Sequence, residues 1–278
     1  MICHNGNFVE SKLESNRGFL FGDGFFESMR IFEKQILLEE LHLKRIQHSA
    51  ALLQLNCTDD FLQQLTSEIE QLCSTTNLNH HARVRVSIYR GGAGLYASSS
   101  NEINYLITAN ELDSFYQFSD NGLSIGIYDE QVKAPGKYSC LKSLSSQLYV
   151  MASIYAQQNH FDEVVILNHE RNCIEGNTSN LFIIKNNCIY TPPVSDGSVD
   201  GVFRNYLIDI LQKENYELKI QSISIHELNH ADEIFFCNAV RGIRWVDHLN
   251  SKKYNNETTS KIFQLFVTKF QKLLFLKL

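Results

Sequence analysis

The sequence predicts an α/β protein with mixed sheets and two domains. Segments with strand patterning and segments with helical spacing alternate along both halves of the chain. The pattern loosens between residues 111 and 122, where Asp, Ser, Asn and Gly gather. The 278 residues are 44% hydrophobic and 20% charged, which suits a globular protein with a substantial core. We therefore expect a smaller N-terminal α/β domain at 1–112, a linker at 113–121 and a larger C-terminal domain at 122–278.

The N-terminal half reads as a hairpin followed by strands and two helices. Residues 2–9 alternate around Asn5-Gly6, which is a strong signal for a two-residue hairpin turn. Apolar spacing predicts the helices, and Thr58 or Asp59 is expected to cap the second one. Arginine alternates with valine after His81, which predicts a strand with one polar face. The predicted elements are the hairpin at 2–9, strands at 25–32, 81–89 and 103–109, and helices at 39–53 and 59–73.

The C-terminal half carries one acid in an unusual setting. Glu175 is followed by a glycine and four small polar residues, and apolar strand-like segments lie on both sides. Such a carboxylate is costly unless a cationic or protonated group meets it, so Glu175 is a candidate site residue. The predicted elements are strands at 123–128, 163–167, 180–185, 187–191, 218–224 and 233–237, a loop at 133–139, and helices at 143–158, 201–214 and 258–275.

Composition and simple motifs exclude several classes of function. The net charge of -6 argues against broad nucleic-acid binding. The seven cysteines are scattered and contain no C-x-x-C, which argues against a disulfide framework or a zinc site and favours a cytoplasmic protein. His80-His81 has no third metal ligand at a sensible spacing, and no apolar run is long enough for a membrane span. P-loop and G-x-S-x-G patterns are absent from the sequence, so we expect no metal, membrane or nucleic-acid partner.

Six fragments in a fixed order carry a family resemblance. They contain the segments Gly22-Asp23-Gly24, Leu141-Lys142-Ser143 and Glu175-Gly176-Asn177 among others. Their order and spacing resemble the class IV aminotransferase family, the fold type IV pyridoxal phosphate enzymes. The resemblance implies a D-amino-acid aminotransferase-like fold, pyridoxal 5'-phosphate as cofactor, and a homodimer. The fragments are residues 21–30, 42–46, 141–144, 174–182, 201–204 and 231–239.

The resemblance also implies a role for each matching residue. Lys142, at the start of the predicted helix, matches the lysine that carries the cofactor, and Glu175 matches the acid at its pyridine nitrogen. Arg45 matches the arginine that binds the phosphate, and Gly201-Val202 matches a backbone cradle at a helix N-terminus. Phe203 departs from the family, which often has threonine there. The implied cofactor-binding residues are Lys142, Glu175, Arg45, Asn180, Gly201, Val202, Phe203, Asn238 and Ala239.

The reaction is less tightly constrained than the cofactor. Ser28 matches a position where lyases of the family tend to carry a hydroxyl residue, so Ser28 joins Lys142 as a candidate catalytic residue. This favours 4-amino-4-deoxychorismate lyase, which releases pyruvate and 4-aminobenzoate for folate synthesis. An aminotransferase for branched-chain or D-amino acids is the alternative, and a paralogue that binds the cofactor without turnover is a third reading. The substrate is amino-acid-like with carboxylates, and its candidate ligands are Arg85, Arg90 and Arg30.

Other sequence features concern the substrate but do not identify it. Residues 90–94 contain three glycines after a strand, which is typical of a mobile substrate loop. The segment 242–246 departs from the family pattern at the wall of the substrate pocket. Arg83, Arg241 and Arg244 belong to the wider set of carboxylate candidates.

Overall fold

The structure is a computed structural model that describes residues 2–4, 7–9, 16–78 and 80–275. Its helices are α1 (Arg17–Phe21), α2 (Glu39–Leu52), α3 (Asp59–Thr75), α4 (Gln147–Gln158), α5 (Val202–Lys213), α6 (Ile225–His230) and α7 (Glu257–Phe275). Its strands are β1 (Ile2–His4), β2 (Asn7–Val9), β3 (Gly24–Phe32), β4 (Gln35–Ile36), β5 (His81–Arg90), β6 (Ile103–Glu111), β7 (Leu123–Lys133), β8 (Glu163–Asn168), β9 (Asn172–Gly176), β10 (Asn180–Lys185), β11 (Cys188–Thr191), β12 (Leu218–Ile220), β13 (Ile223–Ser224), β14 (Glu233–Asn238), β15 (Gly242–Leu249) and β16 (Lys252–Lys253).

The chain divides into two compact units. The first is Met1–Asp113 with Leu141–Ser146, and the second is Ser114–Cys140 with Gln147–Leu278. The segment Leu141–Ser146 belongs to the first unit because its backbone pairs with the beginning of β3. The N–H of Phe26 donates to the Lys142 carbonyl at 2.8 Å.

The first unit is an antiparallel sheet with two helices on one face. The strand order is β4-β3-β5-β6, and β3 pairs with β5 along its whole length. Met29 and Val84 point from the sheet into a core that also contains Ile46 of α2 and Leu65 of α3. Thr58 caps α3, as predicted, by accepting a hydrogen bond from the Phe61 N–H at 3.1 Å. Because side chains alternate along a strand, the opposite face carries Ser28 and Arg30 of β3 and Arg83 and Arg85 of β5, whereas Glu27 lies on the helix face.

The second unit is built around a closed ring of six strands. The pairing runs β10-β14-β15-β7-β8-β9 and returns to β10, where Asn180 pairs with Glu175. The pairs β15–β7 and β7–β8 are parallel, and the other pairs in the ring are antiparallel. Val165, Leu181 and Phe236 belong to one buried apolar cluster in this unit. The ring places the ends of β9, β10 and β14 side by side.

Most predicted elements are present, but the structure differs from the prediction at several points that concern the candidate site. The predicted helix at 143–158 begins only at Gln147, so the prediction that Lys142 starts a helix is wrong. Residues 142–144 instead extend along β3, whose free backbone groups they pair. Strand β9, which contains Glu175, and strand β15 were not predicted. Lys133, expected in a loop, is the last residue of β7.

Candidate functional site

Glu175 is a buried acid of the candidate site. It lies on β9 between β8 and β10, with 2% of its surface exposed. Its Oε1 accepts from the Lys133 ammonium at 2.9 Å and from the Tyr149 hydroxyl at 2.7 Å. Its Oε2 accepts from the Val199 N–H at 2.8 Å. A carboxylate has about four acceptor positions, so these contacts leave room for roughly one more donor, on the Oε2 side.

Lys133 and Tyr149 form a closed triangle with Glu175. The Lys133 ammonium also donates to the Tyr149 oxygen at 2.6 Å, and only 12% of the lysine side chain is exposed. Burial, and secondarily the charge of Glu175, raises the pKa of the Tyr149 hydroxyl far above its ordinary value. The hydroxyl therefore keeps its proton and remains a donor to Glu175. The buried acid thus has a cationic partner within its own unit.

Neither Lys133 nor Tyr149 was identified from the sequence. Lys133 looked like a loop residue, and Tyr149 lay inside a helical pattern among other apolar residues. The only signal was indirect, namely that a buried acid such as Glu175 requires a positive partner. The sequence separation of 42 residues between Lys133 and Glu175 carries no pattern that identifies the pair.

Close packing beside Glu175 requires a glycine at the start of α5. A Cβ built on Gly201 would lie 1.8 Å from the Asn180 Oδ1. Asn180 is held there because its Nδ2 donates to the Val199 carbonyl at 2.9 Å. No side chain caps α5, and the leading N–H groups of a helix have no partner within it. The first turn, beginning at Val202, is therefore suited to meet an anion.

The turn after β14 is organised by one side chain. The Asn238 Oδ1 accepts from the N–H groups of Val240 and Arg241 at 3.0 and 2.7 Å. Its Nδ2 donates to the Ser179 hydroxyl oxygen at 3.0 Å. The Ala239 carbonyl accepts from the Tyr116 hydroxyl at 2.6 Å. Asn238 therefore shapes the turn with its side chain as well as ending the strand.

Phe203 occupies a different place from the one expected of a cofactor-binding side chain. Its ring is buried and packs at 4.9 Å from Phe266 and 5.8 Å from Tyr116, measured between centroids. The side chain is thus part of an aromatic cluster beneath α5. Only the backbone of Phe203 remains a candidate to contact a ligand.

In the first unit, two cations share one aromatic ring. The Arg85 guanidinium carbon lies 3.6 Å from the centroid of Phe26, and the Lys142 Nζ lies 4.7 Å from it. Ser28 is directly opposite Arg85 in the β3–β5 register, on the same face of the sheet as Phe26. The fold therefore brings Lys142, Arg85 and Ser28 to one surface of this unit.

The same surface concentrates positive charge. Arg30 is directly opposite Arg83, and Arg85 follows Arg83 on the same face. At the described register positions of β3, β5 and β6 on this face there is no acidic residue. Burial, and secondarily the nearby charge of Arg83, lowers the pKa of Arg85. The face is therefore electrostatically suited to carboxylates.

Arg45 is held by a buried carboxylate on the other side of the sheet. Its Nε donates to the Glu27 Oε2 at 2.9 Å, a terminal nitrogen donates to Oε1, and the His42 Nδ1 lies 2.8 Å from Oε1. Burial alone would raise the pKa of Glu27. The charge of Arg45 and the contact with His42 outweigh burial and hold that pKa far below its ordinary value. Glu27 thus fixes the direction of the Arg45 guanidinium.

Arg90 has a structural role within the first unit, which the sequence did not predict. Its guanidinium donates to the Asp23 carboxylate at 3.0 Å, the Asn101 Oδ1 at 2.6 Å and the Leu53 carbonyl at 2.5 Å. Asp23 also accepts from the Nε of Arg17 at 2.9 Å. These contacts hold the loop after β5, so the geometry favours Arg85 over Arg90 as a ligand for substrate.

Two further properties concern the described residues as a whole. None of their helices has the length and apolar character needed to cross a membrane. In the same part of the chain, no group of three or more His, Cys, Asp or Glu side chains is placed to hold a metal ion.

Comparison with known proteins identifies relatives along nearly the whole chain. The sequence pattern of the family described as amino-transferase class IV matches residues 24–249. An aminodeoxychorismate lyase of Bacillus subtilis is 27% identical over 96% of this chain and 93% of its own length. A D-alanine aminotransferase of Staphylococcus aureus is 26% identical over 98% and 96%. The solved branched-chain amino acid aminotransferase of Escherichia coli superposes with a TM-score of 0.81 at 20% identity, covering 92% of this chain and 87% of that one.

Proposed function

The chain belongs to the class IV aminotransferase family, and from that premise we propose that it is a 4-amino-4-deoxychorismate lyase. Members of this family use pyridoxal phosphate and include both lyases and aminotransferases. The identities to a lyase and to an aminotransferase are nearly equal, at 27% and 26%. Overall similarity therefore does not choose the reaction, and the choice must come from particular residues.

The residues of the second unit fit pyridoxal phosphate. Glu175 retains about one open acceptor position, which suits the N–H of a protonated pyridine ring. The uncapped first turn of α5 suits the phosphate, and the crowding at Gly201 shows how closely the backbone is packed there. When bound, the cofactor supplies an electron sink for a carbanion. In this proposal Glu175 would keep the ring nitrogen protonated. Backbone groups would bind the phosphate, and they belong to Val202, Phe203 and Ala239. The side chains of Asn180 and Asn238 would hold these backbone segments in place.

Lys142, Arg45 and Ser28 of the first unit have proposed roles of their own. Lys142 is the amine that carries the cofactor and moves a proton at its Nζ. Arg45, oriented by Glu27, is the proposed phosphate ligand. Ser28 assists proton transfer from its place opposite Arg85. Lys142 does not depend on a helix terminus for this role, because its backbone pairs with β3.

The arginine face of the first unit is the observation that carries the lyase proposal. Arg83 and Arg85 lie on the same face as Lys142, where no described register position is acidic. Like charges on neighbouring positions of a sheet are unfavourable, and an anionic substrate offsets that cost. The lyase substrate has two separated carboxylates. A branched-chain amino acid or D-alanine brings one carboxylate and a side chain without charge, so an aminotransferase would need the second arginine only for a dicarboxylate acceptor such as 2-oxoglutarate.

An aminotransferase for branched-chain or D-amino acids is the second candidate. The similarity to the D-alanine aminotransferase supports it, since that similarity covers 98% of this chain. A non-catalytic paralogue is less well supported because Lys142, Glu175 and Arg45 are all present. We further propose a homodimer and a cytoplasmic location, in keeping with the relatives' class.

A single assay separates the candidates. Purified protein is incubated with pyridoxal phosphate and 4-amino-4-deoxychorismate without any keto acid, and 4-aminobenzoate is followed by fluorescence while pyruvate is followed with lactate dehydrogenase. The lyase releases both products in equal amounts. A parallel incubation supplies a branched-chain or D-amino acid as amino donor; its conversion to the keto acid only when 2-oxoglutarate or pyruvate is present as acceptor, with no 4-aminobenzoate released in the first incubation, would refute the lyase and support the aminotransferase. Lys142→Ala is the control variant, which should lose both turnover and the visible absorbance of the bound cofactor.

A further inference from the structure

A second buried glutamate, Glu163, lies under the turn that follows Glu175. It is the first residue of β8, with 1% of its surface exposed. Its Oε1 accepts from both the N–H and the hydroxyl of Thr178 at 3.1 Å, and its Oε2 accepts from the Ser179 hydroxyl at 3.3 Å. All three partners are donors, so Glu163 acts purely as an acceptor.

Glu163 explains why Glu175 is followed by glycine. A Cβ built on Gly176 would lie 2.3 Å from the Glu163 Oε1 and 3.0 Å from the ring of Phe236. The carboxylate thus fills the space that a side chain at position 176 would need. Residues 176–179, which directly follow Glu175, therefore cover the Glu163 carboxylate.

The network continues from this turn to the turn after β14. The Ser179 hydroxyl, which donates to Glu163, accepts from the Asn238 Nδ2 at 3.0 Å. The other end of the Asn238 amide accepts from the N–H groups of Val240 and Arg241. One chain of hydrogen bonds therefore runs from Glu163 through Ser179 and Asn238 to the backbone beside Ala239.

The electrostatic setting makes this network sensitive to the carboxylate. The pKa of Glu163 is raised on balance, because burial outweighs the hydrogen bonds from Thr178 and Ser179 and the charge of Arg244 on β15, which act in the opposite direction. The Glu163 carboxylate is buried and is the shared acceptor for one backbone N–H and two hydroxyls. Loss of its charge would weaken every bond that orients the turn.

We propose that Glu163 is a positioning residue that couples residues 176–179 to the turn after Asn238 and so sets the affinity of the second unit for pyridoxal phosphate. The effect on affinity rests on the function proposed above, whereas the coupling of the two turns does not. Among the described residues, Glu163 is linked to the site through its contacts with Gly176, Thr178 and Ser179 and, beyond Ser179, through Asn238.

The test compares Glu163→Gln with a matched variant, Glu233→Gln. Glu233 is a third buried glutamate of the same unit, and it accepts from the Thr258 N–H and from the N–H and hydroxyl of Thr259, all within 2.8 Å. Its partners lie at the start of α7 and not at the candidate site. Ser179→Ala is a milder variant that interrupts the same chain of bonds if Glu163→Gln folds poorly.

Two measurements are made on each protein. Hydrogen exchange of the cofactor-free protein reports on backbone order, and an absorbance titration gives the dissociation constant for pyridoxal phosphate. Glu163→Gln and Ser179→Ala should speed exchange at both 176–179 and 239–241, and Glu163→Gln should weaken binding by about tenfold. Glu233→Gln should speed exchange near 257–260 and leave the dissociation constant unchanged.

The outcomes separate the inference from the proposed function. Exchange at 239–241 that stays as slow as in the unmodified protein, in both Glu163→Gln and Ser179→Ala, would overturn the coupling. If Glu233→Gln weakens pyridoxal phosphate binding as much as Glu163→Gln does, then Glu163 affects binding only through general stability and the proposed positioning role is overturned. If the unmodified protein binds no pyridoxal phosphate, the proposed cofactor and the effect on affinity both fail, while the exchange data still decide the coupling.

Discussion

Replacing Lys133 by methionine probes the charge balance around Glu175. Methionine retains the apolar part of the lysine stem, so the change removes mainly the charge and its hydrogen bonds to Glu175 and Tyr149. Removing one partner of a buried ion pair costs about 3–5 kcal/mol. Glu175 keeps the Tyr149 hydroxyl and the Val199 N–H, so we expect a loss near the lower end, about 3 kcal/mol.

The loss should appear as a lower melting temperature of the cofactor-free protein. A change of 1 kcal/mol moves Tm by roughly 2–4 °C in a chain of this size, so Lys133→Met should lower Tm by roughly 6–12 °C in a calorimetric scan at pH 7. The control is Lys213→Met, which breaks the exposed pair between Lys213 and Asp209 and should change Tm by less than about 2 °C. If Lys133→Met shifts Tm no more than this control, Glu175 does not depend on Lys133 and the reasoning is refuted.

Three further predictions follow from other contacts. Glu27→Gln should cost about 3–5 kcal/mol at pH 7, because it removes the buried carboxylate charge that Arg45 contacts. The pKa of Glu27 is held far below its ordinary value in the folded state, so this stability is complete above the unfolded pKa of roughly 4.3 and is lost as the pH falls from there towards the folded pKa. Acid titrations of the two proteins should therefore converge. Gly201→Ala should destabilise the folded protein by about 1–3 kcal/mol, because the added Cβ collides with Asn180. The control is Gly136→Ala, whose added Cβ has no atom within 4 Å and should leave Tm nearly unchanged. Equal changes in Tm for the two variants would contradict the crowding at Gly201. Arg85→Met should lower kcat/KM for aminodeoxychorismate by roughly tenfold to hundredfold, mainly through KM, and an unchanged KM would remove Arg85 from the substrate site.

Local sequence patterns were enough to predict many of the strands and helices. The alternation of Arg83, Val84, Arg85 and Val86 predicted a strand with one polar face, and the structure confirms it. The Asn5-Gly6 signal predicted the hairpin, and the described residues on either side pair with Ile2 opposite Val9. These elements were predictable because neighbouring residues determine them.

Other features depend on residues far apart in the chain. Strand β9 is short and polar at its ends, and it forms because it pairs with β8 and β10 to close the six-stranded ring. Lys142 lies in an extended segment because β3 offers unpaired backbone groups, and no property of residues 141–146 alone reveals this. Hydrophobic periodicity reflects the secondary structure within one element and not the pairing between distant elements, so it could not predict strand β9 or the extended segment at Lys142.

The sequence by itself determined the family, the kind of cofactor that the family uses and the candidate residues, because six short fragments keep their order and spacing. Only the tertiary structure decided what each candidate contacts: Glu175 has Lys133 as its cation, Arg90 holds a loop, and the side chain of Phe203 is buried among aromatic rings. The physical reason is that a buried charge must be balanced by whichever group the closed sheet brings beside it, and that group can lie anywhere in the chain.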